Sequence, residues 1–570
     1  MASSDENDED LRTAIALSLA ESCRSESESR RKNLENAKAG SSINSGMGFL
    51  GLDRRAMEEE RLARLKRKPE ESVTDIRQSV ETVPTSITSS SITGISSESL
   101  KYPKGVIKKT WAFGHKQTGN EVKLEEVLEA HTLRTALLSA FQWDTNWVFS
   151  KLKIPPNGGN TKCIFVMQGK EAAQREAMRK NAKEMHMFLR LCFPPMEGQV
   201  NCMHSKLMLL FHPDKLRIAL PTANLVSYDW GETGEMENCV FMIDLPRLPN
   251  NSKNAPDDLT SFGKELLYFL EKQGLDADVR AGVLNFDFSE TVSMAFVHTV
   301  GGASFDTDAQ RTGLPGLSSA VRTLHLETEL LEIDYAASSI GFLNDNFLTN
   351  VHSAAQGNDP FAKSETTVSA IRSNFFTPAS SRRESSIPQP VAIRDCVRVY
   401  FPTHDTVSSS TAGGAGTICL QRNWFESGTF PRSCFRDYRS TREGLLSHNK
   451  ILCARGQRED INTGRVKDVA WIYVGSANLS ESAWGKVFFN KKKGEVKINC
   501  RNWECGVVLP VPEDAVLKFR GLKGDKAISE NKNEGDLVSM DIFKEVFDLP
   551  FCVPGERYGS KKPWYFREQM

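Results

Sequence analysis

Two stretches of this chain, one ahead of its middle and one near its end, repeat one pattern. The first is MHSKLMLLFHPDKLRIALPTANLVSYDWG, Met203–Gly231; the second is SHNK, Ser447–Lys450, followed by IYVGSANLSESAWG, Ile472–Gly485. Placing Asn224 over Asn478 also brings Ala223 over Ala477, Leu225 over Leu479, Trp230 over Trp484 and Gly231 over Gly485. A doubled segment of this kind constrains the chain to two copies of one structural unit.

Of the ten histidines, only His204 and His448 are followed two residues on by a lysine, Lys206 and Lys450. Each pair stands just ahead of an apolar run, LMLLF or ILCA, that reads as a buried strand. Residues i and i+2 of a strand share a face, so each H-x-K sets an imidazole beside an ammonium. Asn224 and Asn478 each close a further apolar run in a turn of small residues, where a strand hands over to a helix. If the halves face each other, two imidazoles, two ammoniums and two carboxamides meet in one site.

Such a set suits a phosphodiester. Lysine and asparagine donors match the non-bridging oxygens, and two imidazoles can flank phosphorus in line with the attacking and leaving oxygens. No metal or cofactor is required by this scheme. A carboxylate is wanted to orient each histidine. Glu237 in MENCVFMIDLP and Glu504 in WECGVVLP are the candidates, each in a strand-like context.

The two motifs resemble the catalytic motifs of the phospholipase D superfamily. With asparagine in place of the aspartate of H-x-K-x4-D, the likeness is to its tyrosyl-DNA phosphodiesterase branch, in a fungal form with an N-terminal ubiquitin-interacting motif. The fifth residue after Lys206 is Phe211 and after Lys450 is Arg455, which counts against the lipase branch. Further likeness lies in SSIGFLNDNF, YFPTHDTVSSS and LPFCVPGERYGSKKPW, so the resemblance runs from about Val106 to Trp564. It implies an α/β fold: two similar phospholipase D-like α-β-α sandwich domains packed with pseudo-two-fold symmetry, plus a disordered N-terminal tail.

What the resemblance implies chemically is hydrolysis of a 3′-phosphodiester joining DNA to a tyrosine of trapped topoisomerase I. His204 is then the nucleophile, His448 the general acid and base, and Lys206, Lys450, Asn224 and Asn478 hold the phosphoryl oxygens. Ser338 and Ser339 resemble a family serine pair that touches substrate phosphates, and Ser480 and Ser482 fall where the family has phosphate or peptide contacts, although hydroxyls at such turns also serve as local caps. Gln421 and Arg422 in QRNW read either as DNA contacts or, for Arg422, as an ordinary exposed arginine. At the position where animal members carry a base-stacking aromatic, four residues before His204, this chain has Val200. The rival readings are a phospholipase D-type lipase or non-specific nuclease of the same fold, and an inactive ubiquitin- and DNA-binding adaptor.

At 570 residues the chain exceeds one hydrophobic core, and its net charge of −1 leaves any DNA contact to a local patch. Twelve cysteines without a C-x-x-C pair and no apolar leader point to a reduced compartment. Apolar runs are short, so no membrane span is expected. Residues 1–22 carry an acidic cluster and then Leu11, Ala14, Ile15 and Ser18 at helical spacing, which resembles a ubiquitin-interacting motif; a helix docking on its own enzyme has the same pattern. Residues 23–105 are serine-rich and charged and read as a disordered linker. Within them Arg54–Lys68 has two basic clusters that read either as a nuclear-import signal or as a solvated helix. The expected partners are therefore DNA and ubiquitin, the expected location the nucleus and the expected state a monomer.

The first domain is expected over 106–302 and the second over 303–570. VKLEEVLEAHTLRTALLSAF is expected as one amphipathic helix, LTSFGKELLYFLEKQG as a second, and SMAFVHTV as a strand closing the first domain.

Overall fold

The apolar run behind each H-x-K forms a strand, Met208–Phe211 in the first half and Lys450–Glu459 in the second. The run ending in each asparagine lies antiparallel beside it, as Lys215–Pro221 and Val466–Gly475. These four strands sit at the centres of two large sheets. In this computed structural model the described residues are 100–155, 159–361, 392–414, 417–460, 464–490, 495–527 and 537–566. The segment with Leu11, Ala14, Ile15 and Ser18, and the basic clusters of Arg54–Lys68, lie outside them.

From one edge, the first sheet runs Glu121–Val122, Val106–Thr110, Cys239–Pro246, Lys215–Pro221, Met208–Phe211, Thr135–Ser139, Lys162–Val166, Leu189–Cys192. The second runs Ala295–Thr299, Asn502–Pro510, Val466–Gly475, Lys450–Glu459, Leu330–Ala337, Val397–Phe401, Phe435–Asp437. Apart from the short edge strand Glu121–Val122, the two orders correspond strand for strand. The senses correspond too: the first four joins are antiparallel and the last two parallel in both sheets. The doubled sequence motif is thus the visible part of a doubled topology. The fold is α/β, with the repeat expected from the motifs.

Strands covered on both faces read as continuous apolar runs, and that is why the central ones were legible. Lys215–Pro221 is buried along its whole length, and its Arg217 side chain, fully buried, forms a two-pronged ion pair with Asp244 of the neighbouring strand at 2.6 and 2.9 Å. Residues of both sheets join one apolar cluster, with Leu209, Ile218 and Phe241 from the first and Ile451, Ile472 and Val507 from the second. The helix Ser261–Lys272 buries Phe262, Leu266, Phe269 and Leu270 in the same cluster, as its periodicity predicts.

Two expectations fail. The segment from Val122 to Phe141 is not one helix: the helix Leu124–Leu128 stops at Glu129, which is left-handed at φ 44°, and Thr135–Ser139 is a sheet strand. Leu137 and Leu138, consecutive and both fully buried, need a position covered on both faces, and a one-sided surface helix does not provide it. Ala295–Thr299, expected to close the first half, pairs with Asn502–Pro510 at the edge of the second sheet. It occupies the place that Val106–Thr110 holds in the first, so the second repeat begins before residue 303.

The recurring tryptophan-glycine pair has a structural reason. Trp230 is buried and donates from Nε1 to the Asn224 carbonyl at 2.9 Å, which fixes the turn that holds the asparagine. Gly231 follows at φ 75°, and a Cβ there would lie 1.7 Å from the Trp111 carbonyl oxygen. Trp484 is also buried and donates to the Tyr335 hydroxyl at 3.0 Å, with Gly485 at φ 86°.

Candidate active site

Each H-x-K is attached to the opposite sheet. Cys202–Met203, just before His204, pairs in parallel with Asn502–Trp503, and the His204 amide donates to the Trp503 carbonyl at 3.0 Å. Leu446–Ser447, just before His448, pairs in parallel with Met236–Glu237, and the His448 amide donates to the Glu237 carbonyl at 3.1 Å. The two motifs are therefore brought together by reciprocal bridges between the halves.

This symmetry assigns the carboxylates. Glu504 is held by Ser476, whose hydroxyl donates to Oε2 at 2.5 Å, and Glu504 Oε2 lies 2.8 Å from His204 Nδ1. In the other half Thr222 stands where Ser476 does, and it donates to Asn238 Oδ1 at 2.7 Å. The counterpart of Glu504 is thus Asn238, and Glu237 corresponds to Trp503. The expectation that Glu237 orients one of the two histidines is corrected accordingly. The Glu237 carboxylate is fully buried and accepts from Arg442 Nη2 and Nε at 2.8 and 3.0 Å and from the Tyr438 hydroxyl at 3.3 Å.

The carboxylate on His448 belongs to Asp229, whose Oδ2 is 3.0 Å from Nδ1 and also accepts from the Asn224 amide at 2.7 Å. Sequence reasoning missed Asp229, although it is the one acidic residue between Asn224 and Gly231. Its counterpart in the second motif is Ala483, so alignment of the copies hides it. In both cases histidine and carboxylate come from opposite halves.

Both imidazoles are nearly buried, His204 at 8% exposure and His448 at 5%. With Nδ1 turned to a carboxylate, Nε2 is the atom left for chemistry. Burial pushes the His204 imidazole below its ordinary pKa despite Glu504, with Lys206 acting in the same direction. Burial and then Lys450 push His448 down to about 3, with Asp229 opposing. Lys206 and Lys450 are fully buried and donate from Nζ to the carbonyls of their own histidines at 2.9 and 2.5 Å. Burial lowers Lys206 to about 8, and burial with the Lys206 charge lowers Lys450 well below the usual lysine range. Each lysine also bears on the histidine of the other motif, so all four basic groups share one electrostatic site.

The asparagines are aimed by backbone. Asn478 Oδ1 accepts from the Ser339 amide at 3.2 Å and the Ser338 hydroxyl at 3.4 Å. Asn224 Oδ1 accepts from the Gln142 amide at 3.3 Å, and its Nδ2 donates to Gln142 Oε1 at 3.4 Å. Gln142, also missed from sequence, fills in the first half the position of Ser339 in the second. Ser480 caps the short helix Glu481–Trp484 by accepting from the Ala483 amide at 3.2 Å, and Ser482 is buried within that helix. Gln421 precedes the helix Arg422–Glu426; the Arg422 guanidinium lies 4.7 Å from the Tyr565 ring. Two residues before Gln421, the Cys419 amide donates to the Ser338 carbonyl at 2.9 Å. Val200 is buried in the apolar core and presents no ring.

The two positions that lack a lipase-type aspartate serve packing. Phe211 lies against Phe286 at 6.0 Å, and Arg455 pairs with Glu332 at 2.8 Å. Among the described residues no group of three or more His, Cys, Asp or Glu side chains is placed to hold a metal ion, and no helix is long and apolar enough to cross a membrane. No disulfide joins the eleven cysteines among them.

Two like-ordered sheets that each deliver one H-x-K and one asparagine to a shared site define the class: this is a phospholipase D superfamily fold. The chain belongs to the tyrosyl-DNA phosphodiesterase family, whose sequence model matches residues 106–559. It is similar to a probable tyrosyl-DNA phosphodiesterase of Caenorhabditis elegans, 24% identical over 332 residues, 55% of this chain and 64% of that protein. It is also similar to tyrosyl-DNA phosphodiesterase 1 of Drosophila melanogaster, 24% identical over 379 residues, 63% of this chain and 56% of that protein. The chain thus matches less than two thirds of the length of these relatives. A crystal structure of a mutant yeast tyrosyl-DNA phosphodiesterase superposes with a TM-score of 0.52 at 17% identity, covering 81% of this chain and 99% of that one, and shares its fold.

Proposed function

We propose that this protein is a DNA-repair hydrolase that cleaves the 3′-phosphodiester between DNA and a tyrosine, as left by trapped topoisomerase I. The observation that carries this reading is the pair of carboxylate-anchored imidazoles, His204 with Glu504 and His448 with Asp229, in one site with two buried ammoniums.

His204 Nε2 attacks phosphorus and forms a phosphorus–nitrogen bond, while the bond from phosphorus to the tyrosine oxygen breaks. A proton on His448 Nε2 passes to the departing phenolate. His448, now neutral, takes a proton from water, and the hydroxyl displaces His204 to leave a DNA 3′-phosphate. Lys206, Lys450 and the carboxamides of Asn224 and Asn478 hold the non-bridging oxygens, where negative charge is concentrated. Ser338 and Ser339, which border Asn478, contact the DNA phosphates, Ser480 and Ser482 are given the same role by resemblance, and Gln421 and Arg422 are assigned to the DNA as well.

The step needs His204 neutral and His448 protonated. Burial and the lysines disfavour a proton on His448. The substrate's own negative charge offsets the ammoniums, so the diester brings about the protonation that its cleavage requires. Phe211 and Arg455 favour this reading over a lipase. Action in the nucleus as a monomer, with ubiquitin engaged by the segment around Leu11 and Ala14, completes the proposal.

The test is incubation in EDTA with a 3′-phosphotyrosyl oligonucleotide, beside phosphatidylcholine. Release of tyrosine with a 3′-phosphate product is expected; lipid cleavage alone, or no turnover, overturns the reading.

A further inference from the structure

Beside the two large sheets lies a three-stranded one, Gly302–Phe305, Glu495–Cys500 and Lys486–Asn490, with Glu495–Cys500 in the middle. Alternation gives it two unlike faces. Inward, Ile498 and Cys500 are buried with Ala309 and Phe361, and Val487 and Val496 pack against them. Outward, the register puts Phe305, Lys497 and Phe488 in one row across the three strands. Lys486 and Asn499 form the adjoining row.

That outward row alternates ring, ammonium, ring. Lys497 Nζ lies 5.4 Å from the Phe305 ring centre and 5.9 Å from that of Phe488, and Lys486 Nζ lies 6.0 Å from Phe488. Phe305 is 53% exposed and Phe488 44%, whereas most phenylalanines among the described residues are buried. An apolar protein partner gains little from a row with an amine at its centre. A base-paired duplex hides the faces of its bases. A single nucleic-acid strand offers flat bases to the rings and phosphates to the amines, the two chemistries this row alternates.

The sheet also continues into the catalytic machinery. Asn499 Nδ2 donates to Gln199 Oε1 at 3.0 Å, and the Arg501 carbonyl accepts from the Asn201 amide at 2.6 Å. The next residues, Asn502–Trp503, pair with Cys202–Met203 directly ahead of His204. Two strand spacings separate the rings, roughly 10 Å, which a splayed strand spans in about two nucleotides.

We propose that the outward face of this sheet is a stacking platform for single-stranded DNA on the His204 side of the site, with Phe305 and Phe488 taking bases and Lys497 and Lys486 taking phosphates. The inference rests on the phosphodiesterase reading for the DNA's identity. It is tested by binding, so that the two can fail separately.

The experiment measures fluorescence anisotropy of a 5′-labelled twenty-nucleotide oligothymidylate with the full-length protein, comparing the parent, F305A/F488A and F305L/F488L. Loss of one base stack weakens binding on the order of tenfold, so both double variants are expected to bind at least tenfold more weakly. A blunt duplex of equal length is expected to show less than a threefold change. Circular dichroism and thermal melting identify variants that fail to fold, and K497Q/K486Q, which leaves both rings, is expected to reduce the salt dependence of binding. Retained affinity in F305L/F488L, an equal loss on duplex, or dissolution of a self-associated form without loss of oligothymidylate binding would overturn the platform. A parent that binds the strand through these rings yet cleaves no phosphotyrosyl bond would overturn the enzymatic reading alone.

Discussion

Asp229 and His448 are 219 positions apart in sequence and 3.0 Å apart in space, and the carboxylate that orients the second histidine is therefore contributed by the first half. Replacing Asp229 with Asn removes the charge that fixes the Nδ1–H tautomer and stabilises the imidazolium. By comparison with the orienting carboxylate of a catalytic triad, D229N is expected to lower kcat by about 10²- to 10⁴-fold. E504Q acts in the same direction through His204. E237Q is expected to change kcat by less than about tenfold, because Glu237 faces Arg442 and no histidine, and to lower thermal stability instead. Steady-state kinetics on the three variants decides it; E237Q as damaging as D229N would return Glu237 to the catalytic set.

If His204 is the nucleophile and His448 the acid and then the base, H448A should stall after the first half-reaction. A DNA adduct on His204 is expected to accumulate on denaturing gels and to localise to the His204 peptide by mass spectrometry. H204A should give neither adduct nor turnover. An adduct formed by H204A and absent from H448A reverses the roles.

The parts legible in the sequence were those written twice. His204, Lys206 and Asn224 recur as His448, Lys450 and Asn478, in the same order though with ten more residues between lysine and asparagine in the second copy, because each copy uses the same strand, strand and turn. Asp229 was hidden because the copies differ there: the first repeat supplies the carboxylate for His448 from its turn, whereas the second supplies Glu504 from a strand. Glu237 misled because it precedes Asn238, the true counterpart of Glu504, by one residue, and one step along a strand turns a side chain to the other face. The strand Thr135–Ser139 carries a helix-like pattern because Leu137 and Leu138 also fit a helical stripe when joined to Leu124 and Leu128.

The pH dependence of turnover follows from the two imidazoles. Acid removes the lone pair of His204, and alkali removes the proton of His448, so kcat should be bell-shaped. The bound diester offsets Lys206 and Lys450, so the alkaline limb should lie at higher pH in kcat than in kcat/KM. Profiles of both parameters on a phosphotyrosyl oligonucleotide check this. A monotonic kcat profile with chemistry rate-limiting, or alkaline limbs at the same pH, would count against the two-histidine scheme.

Stability should carry the same signature without substrate. His448 sits at about 3 in the folded protein against an ordinary 6.5, so between these values the unfolded chain binds a proton that the folded one does not. Folding stability is therefore retained above pH 6.5 and falls as pH drops toward 3, by up to about 1.4 kcal/mol per pH unit for this one proton. His204 is shifted in the same direction, and His212, pushed to about 4 by burial, adds a similar slope. Asp229, held below its usual range, loses its contribution only in more acid solution. H448Q removes one titrating group and leaves the others, so the slope between pH 6.5 and 4.5 should become shallower without vanishing. Urea unfolding at several pH values in this window measures it, and a slope unchanged by H448Q would mean that the buried His448 already shares a proton with Asp229 in the resting site.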